Sequence, residues 1–412
     1  MGGLMAVAAR RVAPLLGVAL AAAVVVAASP SLARPLQPLV DQASPGDVLQ
    51  LPPGVWSGPV VIDKPLTIRG PGAIVDGGGL GTVVRVDAPN VTLSDLVIEH
   101  GGRDVDGPDA CVYVTQRATR ARIRANSLSR CGFGIWIHRA EDVVVEGNRI
   151  IGATAGHRAD RGNGIHLFDG TRLLVRDNVI SGGRDGIYVA ATEDSRIEGN
   201  RMSDTRYGIH YMFSYDNVVS HNLARGNVGG IALMESHGIT ATHNVSSDNK
   251  EHGILFRDAQ RCTIRHNRVE RNGNGLFFFS SVDNVIEHNV VAHNEVGAKV
   301  WAGSDRNEVS SNAFLGNRVQ LFYVASSDLV WGDARAGNFW SDYLGWDQNG
   351  DGVGDRPYRV DSFTTRLIHR YPAASLLLRS PALELLTHLE QTLPLLRTPT
   401  VIDRRPLSRR PE

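Results

Sequence analysis

The sequence has no excess of either charge, because 43 Lys and Arg residues balance 43 Asp and Glu residues. A neutral chain gives no electrostatic reason to expect binding to nucleic acid, whose phosphates attract basic surfaces. Aromatic residues are also sparse, at 6% of the chain, whereas glycine, asparagine and aspartate recur throughout. This composition suits many short strands and tight turns, so it favours an all-β fold over packed helices.

The first 33 residues have the features of a secretory signal peptide. Arg10 and Arg11 precede an apolar run at residues 12–28, and the small-x-small site Ser31-Leu32-Ala33 follows that run. The alternative is an uncleaved membrane anchor, but the cleavage site and the polar segment after it favour removal. We therefore expect a mature protein that begins near Arg34 and is exported to a bacterial periplasm, by a route that the sequence leaves open.

An internal repeat of about 22 residues dominates the rest of the chain. Asparagine recurs at steps of 22 or 23 residues, with one step of 30, at Asn126, Asn148, Asn178, Asn200, Asn222, Asn244, Asn267, Asn289 and Asn312. Most of these asparagines are followed after eight or nine residues by a glycine that opens a strand, at Gly134, Gly186, Gly208, Gly230, Gly253, Gly275 and Gly297, and after an insertion at Gly164.

The residues after each glycine alternate between apolar and other side chains with a period of two. Strands that recur every 22 residues leave no room for an intervening helix, so they must coil about a common axis. The repeat therefore predicts a right-handed, single-stranded parallel β-helix of about a dozen coils over residues 34–326. At about 4.8 Å per coil, the rod would be roughly 55 to 60 Å long. The asparagines are expected to stack as an internal ladder at one bend.

Three further segments interrupt or end the repeat. The step of 30 inserts eight residues at 153–160, which must loop out and could contact a partner. Residues 327–372 are predicted to cap the open end, where unpaired strand edges would otherwise aggregate. Residues 373–412 are predicted to form a helix at 380–393, with a serine N-cap and proline at its first position, and then an extended tail.

The cysteines allow one internal disulfide in an oxidising compartment. Cys111 and Cys131 lie about one coil apart, so they could pair, and Cys262 would remain a free, buried thiol. The sequence alone leaves the pairing open.

If the apolar residues after each glycine point inward, the residues between them point outward. These outward positions are largely aromatic, His and Met, and we call them the outward stripe: Trp136, His138, His166, Phe168, Tyr188, His210, Met212, Met234, Leu255, Phe277, Phe279 and Trp301. A contiguous apolar stripe is rarely exposed on a free monomer and usually marks a partner or ligand site. The alternative is that another segment covers it. Partner binding is predicted for Trp136, His138, His166, Phe168, Tyr188, Phe277, Phe279 and Trp301.

Within the outward stripe, three side chains suit a copper ion. Met212 and Met234 are 22 residues apart and should be neighbours on adjacent coils, with His210 on the same face. Thioether and imidazole donors together favour Cu(I). A second set, which we call the histidine row, comprises His221, His243, His266 and His288. These should stack at one turn as neutral imidazoles, an arrangement that needs no metal, and metal binding is the alternative.

A glycine-rich acidic segment near the C-terminus resembles a calcium-binding loop. Its spacing matches an EF-hand loop in part, although position twelve is Tyr358 and not the bidentate glutamate. The alternative is a solvated acidic turn. The predicted calcium ligands are Asp347, Asn349, Asp351, Val353 through its carbonyl, and Asp355.

The run Gly337-Asn338-Phe339-Trp340-Ser341-Asp342-Tyr343, together with the following loop and the Asn-x7-Gly-Ile coils, resembles the NosD family of periplasmic nitrous-oxide reductase maturation proteins. The resemblance covers essentially the whole mature chain. It implies an accessory subunit of denitrification with no catalytic centre. That subunit would dock on an ABC-type transporter of ATPase and permease, receive Cu(I) from a lipoprotein chaperone, and pass it to nitrous-oxide reductase. The helix at 380–393 would then be a permease contact.

The competing interpretations are a β-helix polysaccharide lyase, hydrolase or epimerase, or a carbohydrate-binding module. Such enzymes need clustered Asp, Lys or Arg on an outward face, and the outward stripe contains none. Only Ser236-His237-Gly238 and Thr263-Ile264-Arg265 approach the motifs of polygalacturonase-like enzymes, without a matching acidic pair nearby. A sugar-binding module would explain the aromatic residues but not the methionine pair.

Overall fold

The computed structural model describes residues 33–301, 303–325, 327–332, 335–359, 380–382, 385, 389 and 400–411. The chain coils through three parallel sheets and forms a right-handed parallel β-helix, as the repeat predicts. Each coil contributes one strand to sheet 1, then one to sheet 2, then one to sheet 3. The predicted signal peptide at 1–33 lies outside the described residues except for Ala33.

Sheet 1 contains the glycine-led strands, in the order Val60–Ile62, Val84–Val86, Ala110–Val114, Phe133–His138, Ile165–Phe168, Ile187–Ala190, Tyr207–Met212, Gly229–Met234, His252–Arg257, Asn274–Phe279, Val296–Trp301 and Val319–Val324. Sheet 2 is formed by Val48–Gln50, Thr67–Arg69, Thr92–Ser94, Arg122–Arg124, Val144–Glu146, Leu174–Arg176, Arg196–Glu198, Val218–Ser220, Thr240–Thr242, Thr263–Arg265, Val285–Glu287 and Glu308–Ser310. Sheet 3 is formed by Arg34–Pro35, Gly54–Ser57, Ala73–Asp76, Val97–Glu99, Ser127–Ser129, Arg149–Ile151, Val179–Ser181, Arg201–Ser203, Leu223–Arg225, Val245–Ser247, Arg268–Glu270, Val290–Ala292, Ala313–Leu315 and Phe339–Trp340.

The core is a continuous apolar column enclosed by the three sheets. Ile187, Ile209 and Ile231 are in register on successive strands of sheet 1 and are at most 1% exposed. Successive side chains of a strand point to opposite faces, so the apolar residues of the alternating pattern all enter this core. The insertion at 153–160 leaves the register unbroken, since Ile135 still pairs with Ile165 on the next coil.

The asparagine ladder lies at the corner between sheets 2 and 3 and is fully hydrogen-bonded. In each step, the backbone N–H and the side-chain Nδ2 of one asparagine both donate to Oδ1 of the next, at 2.9–3.1 Å. The ladder runs from Asn126 to Asn312, as predicted, and continues to Asn338. A second ladder, which the sequence analysis missed, joins Thr205, Asn227, Asn249, Asn272, Asn294 and Asn317 at the corner between sheets 3 and 1.

The residues expected to be an extended tail instead complete the C-terminal cap. Val401–Asp403 forms a strand between Leu329–Trp331 and Tyr358–Arg359. The fully buried Asp403 carboxylate accepts from the backbone N–H of Asn338 at 2.6 Å and from its Nδ2 at 3.2 Å, so it takes the place of the next asparagine. Trp340 Nε1 donates to the same oxygen at 3.0 Å. Burial raises the pKa of Asp403, and the hydrogen bonds that it accepts oppose this effect.

The N-terminal end is closed by a short helix, Gln37–Gln42, that the sequence analysis did not predict. Leu36 and Val40 are buried against the first coil, at 1% and 0% exposure. The side-chain amide of Gln37 accepts from the backbone N–H of Val61 at 2.7 Å and donates to its carbonyl at 3.2 Å. Gln37 therefore satisfies backbone groups on the first strand of sheet 1 that no neighbouring strand can reach.

The remaining sequence expectations concern the cysteines and the C-terminal helix. Cys111 and Cys131 are joined by a disulfide with their Cα atoms 5.5 Å apart. Cys262 is a buried free thiol, and burial raises its pKa to about 11. Pro381, Ala382, Leu385 and Leu389 are helical, and the other residues of the helix predicted at 380–393, apart from its N-cap Ser380, lie outside the described residues. Within the described ranges, no helix is both long and apolar enough to cross a membrane.

The junction between ladder and cap supplies the first prediction. Asp403→Ala leaves two buried donors of Asn338 and one of Trp340 without an acceptor, and each unsatisfied buried donor costs about 1–3 kcal/mol. We expect the free energy of unfolding, measured by urea denaturation, to fall by about 2–5 kcal/mol. Asp305→Ala, at an exposed carboxylate, is the matched control and should change it by less than about 0.5 kcal/mol. Equal effects of the two substitutions would contradict the role of Asp403.

Candidate functional site

The outward stripe lies on sheet 1 and forms two columns of side chains in register. The first column contains Trp136, His166, Tyr188, His210, Ala232, Leu255, Phe277, Lys299 and Phe322. The second, two residues further along each strand, includes His138, Phe168, Ala190, Met212, Met234, Arg257 and Phe279. Trp301 follows Phe279 on the next strand, and their ring centroids are 5.9 Å apart. The repeat therefore brings the predicted stripe together on one face.

The outward stripe is less exposed than expected. Phe168 and Trp301 are 36% and 41% exposed, but His210, Met234 and Leu255 are buried, at 5%, 8% and 5%. The other members are half-buried. Large side chains one coil apart pack on each other along the stripe.

At the N-terminal part of the stripe, the rings pack against one another in a row. Trp136 stacks on His166 with centroids 4.5 Å apart, Tyr188 packs edge-on against His166, and His210 packs edge-on against Tyr188, both at 5.0 Å. Burial, and then the charge of Arg184, lowers the pKa of His166 to about 4. His166 is therefore neutral at neutral pH.

His210 is held by a buried ion pair that the sequence analysis missed. Asp185 is fully buried and forms a bidentate pair with Arg206, with Oδ1 2.9 Å from Nε and Oδ2 2.6 Å from Nη2. His210 Nδ1 lies 3.0 Å from Asp185 Oδ2. Nδ1 also lies 3.1 Å from Arg206 Nη2. Since an ionised carboxylate can only accept, the N–H at Nδ1 donates to Asp185, and Arg206 Nη2, which can only donate, binds the same Asp185 oxygen. The other ring nitrogen, Nε2, is buried and has no hydrogen-bond partner.

The ionisation of Asp185 is secured by its neighbours. Burial alone would raise the pKa of this carboxyl group, but the hydrogen bonds from His210 and Arg206 and their charges outweigh it and hold the pKa at about 2. At neutral pH, the carboxylate therefore stays charged and accepts the N–H at Nδ1 of His210, so that Nε2 is the ring nitrogen left without a partner.

Met212 and Met234 are paired on adjacent strands, as the spacing predicts. They belong to a small apolar cluster beside His210 that also contains Tyr207, Ala232, Leu255 and Phe277. His210 is in register with Ala232, so its strand neighbour on that side presents only a methyl group. In the described part of the chain, no three His, Cys, Asp or Glu side chains are grouped so that they could hold a metal. A soft site here would depend on the two thioethers.

The enzyme-like motifs are placed away from the outward stripe. His237 stacks on Tyr215 with centroids 4.1 Å apart, at the corner between sheets 1 and 2. It lines a shallow cavity of about 290 Å³ with Phe213, Tyr215, Ser236, Gln260 and two acidic residues, Glu235 and Asp258. The expectation that no matching acidic pair lies near His237 is therefore wrong, since Glu235 follows the strand Gly229–Met234 of the same coil and Asp258 follows His252–Arg257 on the next coil. Arg265, in the other motif, forms an ion pair with Glu287 on sheet 2.

The predicted calcium loop folds as a compact turn with its carboxylates satisfied from within. Asp347 accepts from the backbone N–H groups of Gly350 and Gly352 at 2.7 and 2.9 Å and from Ser408 Oγ at 3.0 Å. Asn349 Oδ1 and Asp351 Oδ1 accept from N–H groups two residues on, and Asp355 accepts from Gln348 N–H. Calcium binding at Asp347, Asn349, Asp351, Val353 and Asp355 stays a prediction.

Two residues beside the site were not predicted from the sequence, because they lie outside the alternating positions of the strands. Asp185 and Arg206 precede the glycines that open their strands, so the alternation does not give their direction. These two residues place an acidic and a basic group beside the stripe, although the stripe residues identified from the sequence contain neither. Lys299 does occupy a stripe position, and its ammonium group lies 5.3–5.8 Å from the ring centroids of Phe277, Trp301 and Phe322.

Comparison with solved structures identifies the fold. The DFA-IIIase of Arthrobacter chlorophenolicus aligns with a TM-score of 0.54 at 16% identity, over 73% of this chain and 90% of that enzyme. The Dettilon tailspike protein also aligns with a TM-score of 0.54 at 16% identity, over 68% of this chain and 62% of that protein. At such low identity, these similarities show only that the β-helix is shared.

Comparison of sequences is more specific. Residues 152–345 match the family model described as periplasmic copper-binding protein (NosD), and residues 73–191 match that of the right handed beta helix region. The chain is 40% identical over 394 residues to the probable ABC transporter binding protein NosD of Pseudomonas aeruginosa, covering 92% of each. It is 36% identical over 378 residues to the protein of that name from Stutzerimonas stutzeri, covering 88% of this chain and 87% of the relative. The chain therefore belongs to the NosD family of periplasmic copper-binding proteins.

Proposed function

We propose that this chain is a non-catalytic periplasmic accessory protein that binds Cu(I) on sheet 1 and supports its delivery to nitrous-oxide reductase. Residues 1–33 would direct its export. The description of the family as copper-binding supports the cargo. The observation that carries the proposal is the buried, unpartnered Nε2 of His210, whose opposite nitrogen is bound to Asp185.

This arrangement of His210 is the one that metal-binding histidines use. A ligating imidazole usually donates its second N–H to a carboxylate, which fixes the ring and raises the basicity of the ligating nitrogen. Leaving a buried acceptor unsatisfied costs about 1–3 kcal/mol. A cation at Nε2 would remove that cost, so the site is better satisfied with cargo than without it.

The neighbouring thioethers select the kind of cation. Met212 and Met234 lie in register on the outward face, with His210 two residues from Met212. Thioether sulfur and imidazole nitrogen favour Cu(I), whereas Ca²⁺ and Mg²⁺ require oxygen ligands. Asp185 is bound to Arg206 and His210, so it acts on the site through His210 and not as a ligand.

The partners are proposed from the family. The relatives are named ABC transporter binding proteins, so we propose that this chain docks on an ABC-type permease and its ATPase. Cu(I) would come from a lipoprotein chaperone and leave for nitrous-oxide reductase. The docking face would comprise eight members of the outward stripe: Trp136, His138, His166, Phe168, Tyr188, Phe277, Phe279 and Trp301. The helix predicted at 380–393 is the proposed permease contact, and the loop at 347–355 would bind calcium.

A polysaccharide lyase, hydrolase or epimerase is the second candidate function. It is favoured by the cluster of Asp185, Arg206 and His210 next to Tyr188 and Tyr207, because β-helix enzymes use such groups for proton transfer. Asp185 weighs against it, since a fully buried carboxylate held by Arg206 cannot reach a substrate proton. A carbohydrate-binding module would use the aromatic rings but would leave the methionine pair without a role.

The thioether pair supplies a direct test of the copper site. Replacing Met212 and Met234 together by leucine keeps the apolar volume and removes both sulfurs. Loss of an outer-shell partner alone costs about 10- to 100-fold in metal affinity, so loss of two ligands should weaken Cu(I) binding by at least about tenfold. The measurement is a Cu(I) titration of the exported protein against a competing chelator, under reducing conditions.

Met202→Leu is the matched control, because Met202 is a core residue of sheet 3 and its loss should leave the Cu(I) affinity unchanged. Wild-type affinity in the Met212→Leu, Met234→Leu variant would remove this site. No Cu(I) affinity in the wild type, combined with activity on a uronic polymer, would favour the enzyme.

The positioning role of Asp185 is tested through His210. Asp185→Asn removes the negative charge that fixes the imidazole, so we expect Cu(I) affinity to fall about 10- to 100-fold while both methionines remain. Asp142→Asn is the control, because Asp142 pairs with Arg172 on the surface, away from sheet 1. An Asp185→Asn protein that is folded and binds Cu(I) like the wild type would show that Asp185 is structural only.

The same variant has a defined effect on acid stability. The folded pKa of Asp185, about 2, lies below its ordinary value of 3.8. The stability that the ionised carboxylate supplies is therefore complete above about pH 3.8 and is lost as the pH falls towards 2. Urea denaturation at several pH values between 2 and 5 should show a smaller pH dependence for Asp185→Asn than for the wild type. An identical pH dependence would contradict the depressed pKa.

A further inference from the structure

We propose that the histidine row, His221, His243, His266 and His288, is a second metal site that binds divalent transition-metal ions through pairs of neighbouring imidazoles. The row lies at the corner between sheets 2 and 3, whereas the proposed Cu(I) site lies on sheet 1. It therefore goes beyond the proposed function and depends on different residues.

The rings of the histidine row form one continuous stack. Successive centroids are 5.0, 5.2 and 5.3 Å apart, and the ring planes differ by 3°, 20° and 16°. All four side chains are exposed. The described residues offer no hydrogen-bond partner to any of their ring nitrogens, so the nitrogen lone pairs face solvent.

The fold does not require imidazole at these positions. Each histidine immediately precedes a ladder asparagine and has a left-handed backbone, with φ between 55° and 57°. The equivalent corner of other coils has the same positive φ but holds Ala125, Gly147, Asp177, Gly199 or Ser311. Small residues therefore satisfy the turn, and four consecutive imidazoles are an addition to it.

The spacing suits an ion shared by two rings. Zinc–nitrogen bonds are about 2.0–2.1 Å long, so two nitrogens on one ion lie at most about 4 Å apart. Rings whose centroids are 5.0–5.3 Å apart need to tilt by only about 1 Å at their edges to reach this separation. Exposed side chains without hydrogen bonds can make this movement freely.

The donor set of the histidine row favours a borderline ion. Glu287, the acidic side chain near His266, is paired with Arg265. Imidazole without thioether or carboxylate suits Cu(II), Zn(II) and Ni(II). With two rings per ion, four rings hold at most two ions.

The backbone makes the row rigid. His243 and His266 are each followed by an asparagine that is bonded to the coils on both sides, Asn244 and Asn267. The Cα positions are therefore fixed before any ion arrives, and binding costs little conformational entropy beyond the side chains themselves. This preorganisation distinguishes the row from histidines scattered over a surface.

The test uses Cu(II) as the probe, without reductant, on the exported protein purified without a polyhistidine tag. We compare the wild type with a His243→Asn, His266→Asn variant, which removes one ring from each pair. Asparagine accepts the left-handed backbone, so the turn is kept. We expect Cu(II) affinity at the row to fall at least about tenfold, since even outer-shell losses cost this much. Electron paramagnetic resonance should lose the signal of Cu(II) bound to two nitrogens.

His293→Asn is the matched control, because His293 is exposed, has φ of 55° and precedes Asn294 of the other ladder, but has no neighbouring histidine in its column. It should bind Cu(II) like the wild type. The Met212→Leu, Met234→Leu variant should also keep the two-nitrogen signal, which separates this site from the Cu(I) site.

Single substitutions provide a second test in case the double variant does not fold. His221→Asn and His288→Asn each break only the terminal pair, so each should reduce the number of bound Cu(II) ions by one. A His243→Asn, His266→Asn protein with wild-type thermal unfolding and wild-type Cu(II) binding would overturn the proposal.

Discussion

The buried asparagine ladder is the constraint on which the rest of the molecule depends. Each ladder asparagine binds the backbone and side chain of its neighbour one coil away, so a slip of one residue in any coil would leave several buried donors unsatisfied. At about 1–3 kcal/mol for each such donor, the register is strongly specified. A fixed register is what lines up equivalent positions of successive coils, and the columns of the outward stripe and the histidine row are consequences of that alignment. The last ladder asparagine, Asn338, also needs an acceptor for its donors. Asp403 supplies this acceptor, because the C-terminal segment packs against the end of the ladder.

The fixed register also brings residues that are one repeat apart in the sequence into contact on adjacent strands. Met212 and Met234 are 22 residues apart and become strand neighbours, and so do Trp136 and His166 despite an insertion between them. The two metal sites that we propose use this property in different ways. The site on sheet 1 combines thioether and imidazole donors beside a buried ion pair. The histidine row, at the corner between sheets 2 and 3, repeats one imidazole donor along the axis of the β-helix.

The features that the 22-residue period determines could be predicted from the sequence. The features that depend on non-repeating contacts could not. The parallel β-helix, the ladder and the columns of the stripe follow from spacing, because one repeat is enough to place every equivalent residue. Asp185 and Arg206 were missed since they lie at a corner, where strand alternation no longer gives the side-chain direction. Asp403 was missed because its contact with Asn338 spans 65 residues of non-repeating chain. The burial of His210 could not be foreseen either, since it depends on how neighbouring rings pack.

The charge around His210 bears on how a cargo could be released. Arg206 is paired with Asp185 beside this histidine, and Arg184 lies near the neighbouring ring of His166. A bound cation would gain from the imidazole and thioether donors but would also be repelled by the guanidinium groups through a medium of low polarity. The proposed site therefore combines soft ligands with a positive field. Because a carrier must bind its ion and also give it up, this balance suits transfer better than permanent retention.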